Sequence, residues 1–200
     1  MPRRLVTFEP EHYYHLYNRG CDRRSIFFER DNYLYFLRLI RHHLVGEVFD
    51  VVAYCLMPNH YHLLVQFKGG DASEAMKRLG LAYTKAMNQR YQRQGTLFQG
   101  RFQSIGVDRD DYLRHLVRYI HLNPVKAGIV TDIREWEFSS YLEYAGLRGG
   151  TLPHINIIKQ QFASEADYHS YLENSYHLNF RHLEDAGNLK AKIKILMLDE

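Results

Sequence analysis

Cysteine, proline and long apolar runs are all scarce in this sequence of 200 residues. Two cysteines, Cys21 and Cys55, cannot form a disulfide framework and favour reduced thiols in a cytoplasmic protein. No apolar run approaches the roughly 18–20 residues that span a bilayer, and none follows the basic N-terminus, so we expect neither a membrane helix nor a secretory signal. With five prolines, 46% hydrophobic and 24% charged residues, the composition excludes collagen-like and disordered chains.

Positive charge is concentrated in the middle of the chain. The net charge is only +3, but residues 77–130 carry ten basic and three acidic side chains, which gives +7 there and −4 elsewhere. A basic segment rich in tyrosine and phenylalanine fits a polyanion with stackable bases, such as single-stranded nucleic acid. A solvated basic helix face is an equally compatible interpretation of the charge alone.

The order of hydrophobic patterns predicts an α+β fold. Strands are predicted at residues 12–20, 48–56, 60–67 and 98–107, and helices at 31–44, from 72 to near 95 and from about 108 to Asn123-Pro124, which ends or kinks the last helix. This order is a ferredoxin-like βαββαβ unit, an antiparallel sheet with helices on one face, plus one added helix. The opposite face of the sheet is then expected to be free for a ligand.

The pattern weakens after residue 130 and suggests two parts. We expect a main domain at residues 1–147 and a helical C-terminal appendage at residues 148–200, joined at Arg148-Gly-Gly-Thr151.

The sharpest local signal is His60-Tyr61-His62 inside a predicted strand. Side chains two positions apart on a strand point to the same face, so the two imidazoles lie side by side. On the face without helices they supply half of a divalent-metal site. In a chain with 12 histidines, such a pair also arises by chance.

Tyr119 and Asn123 form a second signal, because residues i and i+4 are neighbours on one helix face. Taken alone, they are a boundary tyrosine and a helix-ending asparagine. Taken with the histidines, they predict one catalytic site. A metal held by His60, His62 and Asn123 would polarise a scissile phosphate, and Tyr119 would attack the phosphorus to give a covalent phosphotyrosine.

Five segments carry a family likeness, in order along the chain. They are Tyr17-Asn-Arg-Gly20, Met57-Pro-Asn-His-Tyr-His-Leu-Leu-Val65, Phe98-Gln-Gly-Arg-Phe102, Arg118-Tyr-Ile-His-Leu-Asn-Pro-Val-Lys-Ala-Gly-Ile-Val130 and Trp136-Glu-Phe-Ser-Ser-Tyr141. The second resembles the histidine motif, and the fourth the tyrosine helix, of HUH single-strand transposases with one catalytic tyrosine. Over residues 12 to about 145 the chain most resembles the REP-associated tyrosine transposases within that group.

The resemblance implies a ferredoxin-like catalytic domain that needs Mg²⁺ or Mn²⁺ and cuts single-stranded DNA at hairpin-associated sites. The 5′ end stays on the enzyme as a phosphotyrosine until a 3′-hydroxyl displaces it. By position, the metal ligands map to His60, His62 and Asn123, and the nucleophile maps to Tyr119. Tyr61 is bulkier than the residue that the family often has there. Both a monomer and a homodimer are compatible with the resemblance.

Arg19, Arg101 and Arg118 are candidates for DNA contacts, because arginine grips phosphate or guanine with two donors. A surface ion pair is the alternative for each of them.

Three other functions compete with the transposase interpretation. A non-catalytic ferredoxin-like nucleic-acid module would place exposed aromatics on its central strands, where this chain has His60 and His62. Another HUH nuclease, such as a relaxase or replication initiator, would use the same chemistry on other DNA. A structural zinc site would prefer cysteine or more histidine and a saturated shell.

Overall fold

The computed structural model describes residues 6–107 and 110–173, which include one four-stranded sheet and several helices. The strands are β1 (Tyr13–Arg19), β2 (Phe49–Met57), β3 (His60–Phe67) and β4 (Gln103–Val107). The helices are α1 (Arg30–His43), α2 (Ala72–Arg90), α3 (Asp110–Lys126), α4 (Tyr141–Tyr144), α5 (Asn156–Lys159) and α6 (Glu165–Glu173), with 3-10 turns at Cys21–Arg23 and Ile133–Glu135. None of the helices in these described ranges is both long and apolar enough to cross a membrane.

The sheet has the order β2-β3-β1-β4, and every neighbouring pair is antiparallel. Because the chain runs β1-α1-β2-β3-α2-β4, the first and third strands lie side by side in the centre. This is the ferredoxin-like arrangement, and the predicted α+β fold is confirmed.

The two core helices, α1 and α2, cover one face of the sheet, as predicted. Leu16 on β1 lies opposite Leu63 on β3, and both belong to one buried cluster with Phe36 of α1 and Tyr83 of α2. Asp71 begins α2, since its carboxylate accepts a hydrogen bond from the backbone N–H of Glu74 (2.9 Å).

The added helix, α3, packs against β2 and β3 on the opposite face, where its Tyr119 ring meets His62. Its buried apolar residues are those predicted to face inward: Leu113, Leu116, Val117 and Ile120. The histidine face is therefore not simply open, because part of it carries a helix that brings further side chains to the histidines.

Three element ends differ clearly from the sequence prediction, and the first is α2, which ends at Arg90 rather than near Gly95. β4 begins at Gln103 rather than near Phe98, because Phe98 instead bridges to Gly20 and the Gln99 N–H donates to the Arg19 carbonyl at the end of β1. Of the two outcomes predicted for α3 at Asn123-Pro124, an end or a kink, the end is wrong, because the helix continues to Lys126 with Pro124 inside it.

The segment that follows α3 covers the exposed edge of β2. The N–H of Leu56 donates to the Phe138 carbonyl (2.9 Å), and the N–H of Ser140 donates to the Tyr54 carbonyl (3.0 Å). Covering an edge strand in this way prevents it from pairing with another chain.

The chain forms two compact units, of which the first extends to Gln161 and the second begins at Phe162. The predicted boundary between residues 147 and 148 stays a prediction. The predicted appendage is described as far as residue 173, where it contains α5 and α6, and residues 174–200 lie outside the described part.

Candidate metal and nucleophile site

His60 and His62 lie side by side at the start of β3, on the face that α3 shares. The two-residue turn Pro58-Asn59 joins β2 to β3, so that His60 is the first residue of its strand. The two imidazole rings are 4.9 Å apart between centroids and nearly perpendicular, at 84°. His60 is partly exposed, whereas His62 is only 1% exposed.

The neighbouring turn residue fixes the proton of His60. Nδ1 of His60 lies 2.6 Å from Oδ1 of the turn residue Asn59. Because an amide oxygen only accepts hydrogen bonds, Nδ1 is the donor and carries the proton. In the neutral ring, Nε2 of His60 therefore keeps its lone pair, which is the state that binds a metal.

His62 contacts a third histidine that the sequence analysis did not select. Its Nδ1 lies 3.0 Å from Nε2 of His15 on β1, which is itself fully buried. The other ring nitrogen of His62, Nε2, is buried and has no hydrogen-bond partner among the described residues. Leaving such a group unpartnered costs about 1–3 kcal/mol, which a bound ligand would relieve.

Burial and surrounding positive charge keep His62 neutral. Burial lowers the pKa of His62 well below its usual value, and the charges of His60, His15 and Lys126 lower it further. Burial also lowers the pKa of His15 to about 3. Because neutral imidazole is the metal-binding form, Nε2 of His62 stays competent to bind a metal at neutral pH.

Tyr119 reaches this site from α3. Its ring meets the His62 ring edge to face, with centroids 6.0 Å apart and an angle of 81°, and it is 7% exposed. The ammonium of Lys126 lies 4.4 Å from the centre of the Tyr119 ring. A cation at this distance stabilises negative charge that develops on the phenol oxygen or on a phosphate beside it.

Pro124 explains how Asn123 is oriented. Proline has no N–H, so the carbonyl of Ile120, four residues earlier, loses its usual helical donor. The Asn123 amide nitrogen donates instead to the carbonyls of Tyr119 (2.9 Å) and Ile120 (3.4 Å). With its nitrogen turned toward the helix, the amide directs its oxygen away from those carbonyls, and that oxygen is a hard ligand.

These donors fit a divalent cation. Two imidazole nitrogens and an amide oxygen match the mixed nitrogen and oxygen ligands of Mn²⁺, and they leave positions open for phosphate oxygens. Across residues 6–107 and 110–173, no group of three His, Cys, Asp or Glu could hold a metal. A saturated structural zinc site does not match this set.

The three candidate arginines occupy different places. Arg19 lies directly opposite His60 across β1 and β3, and its guanidinium donates to the Gln99 side chain. Arg118 precedes Tyr119 on α3 and is half-buried, so its side chain leaves the helix about 100° away from the phenol. Arg101 is exposed in the loop before β4. Only Arg19 shares the strand face of the histidines.

His15 and Lys126 are the residues that the sequence analysis missed. Lys126 lies two helical turns after Tyr119, a spacing that could have identified it. His15 required knowledge of the strand register, since it lies diagonally across from His62 on a neighbouring strand.

Comparison with known proteins places the chain among transposases. The family model described as "Transposase IS200 like" matches residues 9–123, which is more than half of the chain. A Haemophilus influenzae protein provisionally named as a REP-associated tyrosine transposase is 31% identical over 107 residues, or 46% of this chain and 59% of the relative. A REP-associated tyrosine transposase of Escherichia coli is 26% identical over 110 residues, or 52% and 64%. The chain thus spans less than two thirds of these curated relatives.

A solved structure supports the same assignment at the level of the fold. The structure of a REP-associated tyrosine transposase bound to a REP hairpin matches with a TM-score of 0.62 and 21% identity, over 76% of this chain and 93% of that chain. The likeness to REP-associated tyrosine transposases that the five sequence segments carry is confirmed. The chain belongs to the family of IS200-like transposases.

Proposed function

We propose that this chain is a metal-dependent single-strand DNA endonuclease and strand transferase that acts at hairpin sites resembling repetitive extragenic palindromes. The observation that carries the proposal is the meeting of His62 and Tyr119, since it joins a ligand-competent imidazole to a phenol at one point. Family membership supports the same reaction class.

Tyr119 is the proposed nucleophile. Its phenol oxygen attacks the phosphorus of one phosphodiester and forms a new P–O bond, while the bond from phosphorus to the 3′ oxygen breaks. The phenol loses its proton as it attacks, the 3′ oxygen takes up one proton and leaves as a free 3′-hydroxyl, and the downstream strand stays on Tyr119 through its 5′-phosphate. A second 3′-hydroxyl reverses the same exchange and joins two strands.

His60, His62 and Asn123 are the proposed ligands for Mg²⁺ or Mn²⁺. A cation bound there would polarise the scissile phosphate and stabilise charge on its non-bridging oxygens. The residues themselves do the positioning. Asn59 holds the proton of His60 on the far side of its ring, and the helix carbonyls hold the nitrogen of Asn123, so that both rest with a lone pair available.

Charge beside the phenol completes the proposed site. Lys126 lies over the Tyr119 ring, and Arg19 lies opposite His60 at the end of β1. Both cations favour the approach of a phosphate backbone and offset the negative charge that accumulates during the exchange. The proposed substrate is single-stranded DNA beside a hairpin, and the transposase of similar fold is bound to a REP hairpin.

The test is cleavage of a hairpin oligonucleotide copied from repeats that flank the gene, labelled separately at its two ends. With Mn²⁺, a 5′ label is expected in a shorter free strand with a 3′-hydroxyl, and a 3′ label is expected in a covalent complex that survives denaturing electrophoresis. With EDTA, neither product should form.

Matched substrates separate this proposal from its rivals. A pure binding module would shift the hairpin oligonucleotide in a gel with or without EDTA and would release no cleavage product. An oligonucleotide with the same flanking bases and a scrambled stem is the second control. Equal cleavage of that control would contradict the hairpin requirement and favour a relaxase-like nuclease.

A further inference from the structure

His15 contacts the proposed metal ligand His62 and is not itself one of the proposed ligands. It is fully buried on β1, two residues from Tyr17, which lies directly opposite His62 across the strand pair. The rings of His15 and His62 are within 18° of being parallel, with centroids 5.1 Å apart, and their facing nitrogens are 3.0 Å apart. Tyr17 stacks on His15 at 5.1 Å and 20°, so the ring is fixed by packing as well.

The proton between the two histidines has two possible positions. A neutral imidazole carries one N–H, so in the pair Nδ1 of His62 and Nε2 of His15 one nitrogen donates and the other accepts. If His15 donates, the only proton of His62 sits on its Nε2. If His62 donates, its Nε2 is left with a lone pair, in the buried position that has no partner in residues 6–107 and 110–173.

Only the second arrangement can ligate a cation. A metal on Nε2 of His62 needs the lone pair of that nitrogen, so the ring proton must be on Nδ1. With His15 donating, the metal-bound ring of His62 would have no proton and would be an anion. The acceptor for the Nδ1 proton is therefore Nε2 of His15, which fixes the proton of His15 on its own Nδ1, a buried nitrogen that also has no hydrogen-bond partner among the described residues.

The same arrangement recurs at the other imidazole. There, Nδ1 of His60 donates to Oδ1 of Asn59, so the proton of the neutral ring is on the Nδ1 side. Both proposed ligands thus have a dedicated acceptor on the Nδ1 side, one from a turn and one from a neighbouring strand. Acceptors of this kind orient metal-binding histidines and raise their basicity, and their removal typically weakens metal affinity about 10- to 100-fold.

We infer that His15 is a positioning residue, whose Nε2 accepts a hydrogen bond from Nδ1–H of His62 and so presents Nε2 of His62 as a ligand. The inference rests on the proposed function, because it assigns the role of His15 toward the cation of that site.

The first measurement is the protonated nitrogen of His62 in the metal-free wild-type protein, read from long-range ¹H–¹⁵N NMR correlations of the imidazole rings at pH 7.5. The expected result is a proton on Nδ1 of His62 and a proton on Nδ1 of His15. A proton on Nε2 of His62 would overturn the inference, and this result needs no variant.

The second measurement is the affinity for Mn²⁺, read as free ion by electron paramagnetic resonance. His15→Leu removes the acceptor and is expected to weaken binding about 10- to 100-fold. His15→Gln keeps an acceptor oxygen and is expected to bind far more tightly than His15→Leu. The matched control is His121→Leu, which removes another fully buried histidine, bonded to Ser140, and is expected to bind like the wild type.

The outcomes separate this inference from the proposed function. If the wild type binds Mn²⁺ and His15→Leu binds it equally well, the role of His15 is wrong and the site itself stands. If the wild type binds no Mn²⁺, the proposed metal site is wrong, and the role of His15 falls with it. If His15→Leu loses its circular dichroism spectrum, the NMR result on the wild type decides alone.

Discussion

The rings of His62 and Tyr119 meet edge to face, 6.0 Å apart between centroids, although one lies on a central strand and the other on the helix that follows the sheet. β3 supplies the histidines through a two-residue turn, and α3 supplies the phenol by packing its apolar residues against β2 and β3. The antiparallel sheet holds the histidines in place, and the hydrophobic contact of α3 with the sheet holds the phenol in place. This meeting of two separate elements is the physical basis of the proposed reaction.

His62→Leu tests the metal ligand without removing the fold. The substitution removes the unpartnered Nε2 of His62 and in exchange leaves Nε2 of His15 without its partner. Because one unsatisfied group replaces another, the free energy of unfolding should change by no more than about 1 kcal/mol. Cleavage of the hairpin oligonucleotide should be lost. Urea unfolding and the 3′-label assay measure the two effects, and wild-type cleavage by this variant would contradict the ligand assignment.

Lys126→Gln removes the cation over the phenol. Cation–π contacts contribute about 0.5–2 kcal/mol, so the rate of covalent-complex formation at saturating DNA should fall between about 2- and 30-fold. Lys126→Arg keeps the charge and is the matched control, for which a smaller loss is expected. DNA affinity is measured separately by gel shift, and equal rates for Lys126→Gln and the wild type would contradict the role of this charge.

Arg148→Ala tests the anchor that holds the chain after α4 to the edge of β2. The guanidinium of Arg148 donates to the Glu143 carboxylate (2.6 and 2.9 Å), to the Ser139 carbonyl (2.7 Å) and to the Tyr54 hydroxyl (3.0 Å). The Glu143 side chain is only 5% exposed, so removing Arg148 leaves a buried carboxylate without its counter-charge. The free energy of unfolding should fall by about 3 kcal/mol.

A second variant separates lost charge pairing from lost packing at Arg148. In the background of Arg148→Ala, Glu143→Gln removes the stranded charge and should restore part of the stability in urea unfolding. If it restores none, the destabilisation comes from packing and the charge explanation is wrong.

Burial of His121 makes the free energy of unfolding decrease at acidic pH. Burial lowers the pKa of His121 from its ordinary value near 6.5 to about 3, so folding excludes the protonated form. Above pH 6.5 His121 is neutral in both the folded and the unfolded chain, so the stability from its burial is complete. As the pH falls toward 3, the unfolded chain binds a proton that the folded chain cannot, and the free energy of unfolding decreases. His121→Gln should make the fall in unfolding free energy below pH 6.5 shallower by up to about 1.4 kcal/mol per pH unit. Parallel slopes for variant and wild type would contradict this.

The secondary structure near the histidines could be predicted from the sequence because its signals are local. The two-residue turn and the alternation of β3 placed that strand at His60–Phe67, and the apolar spacing of α3 selected the residues that pack inward. The end of α3 could not be predicted from local rules. Proline normally terminates a helix, but here the Asn123 side chain replaces the missing donor, so the helix continues past Pro124 to Lys126.

The positions of His15 and Tyr17 beside the proposed ligand His62 depend on tertiary contacts that no local pattern encodes. His15 and Tyr17 share a strand face, but only the register between β1 and β3 puts them beside His62. The side on which α3 packs was also outside the reach of periodicity, since an apolar stripe predicts burial without naming the surface that buries it.

The most direct measurement is the identity of the residue that carries DNA after cleavage. The covalent complex formed with Mn²⁺ is digested with protease and nuclease, and the peptide that retains a nucleotide is sequenced by mass spectrometry. We expect the nucleotide on Tyr119, no complex from Tyr119→Phe despite unchanged DNA binding, and a normal complex from Tyr112→Phe, which alters another buried tyrosine of α3. A covalent complex from Tyr119→Phe, or a nucleotide on any other residue, would contradict the account.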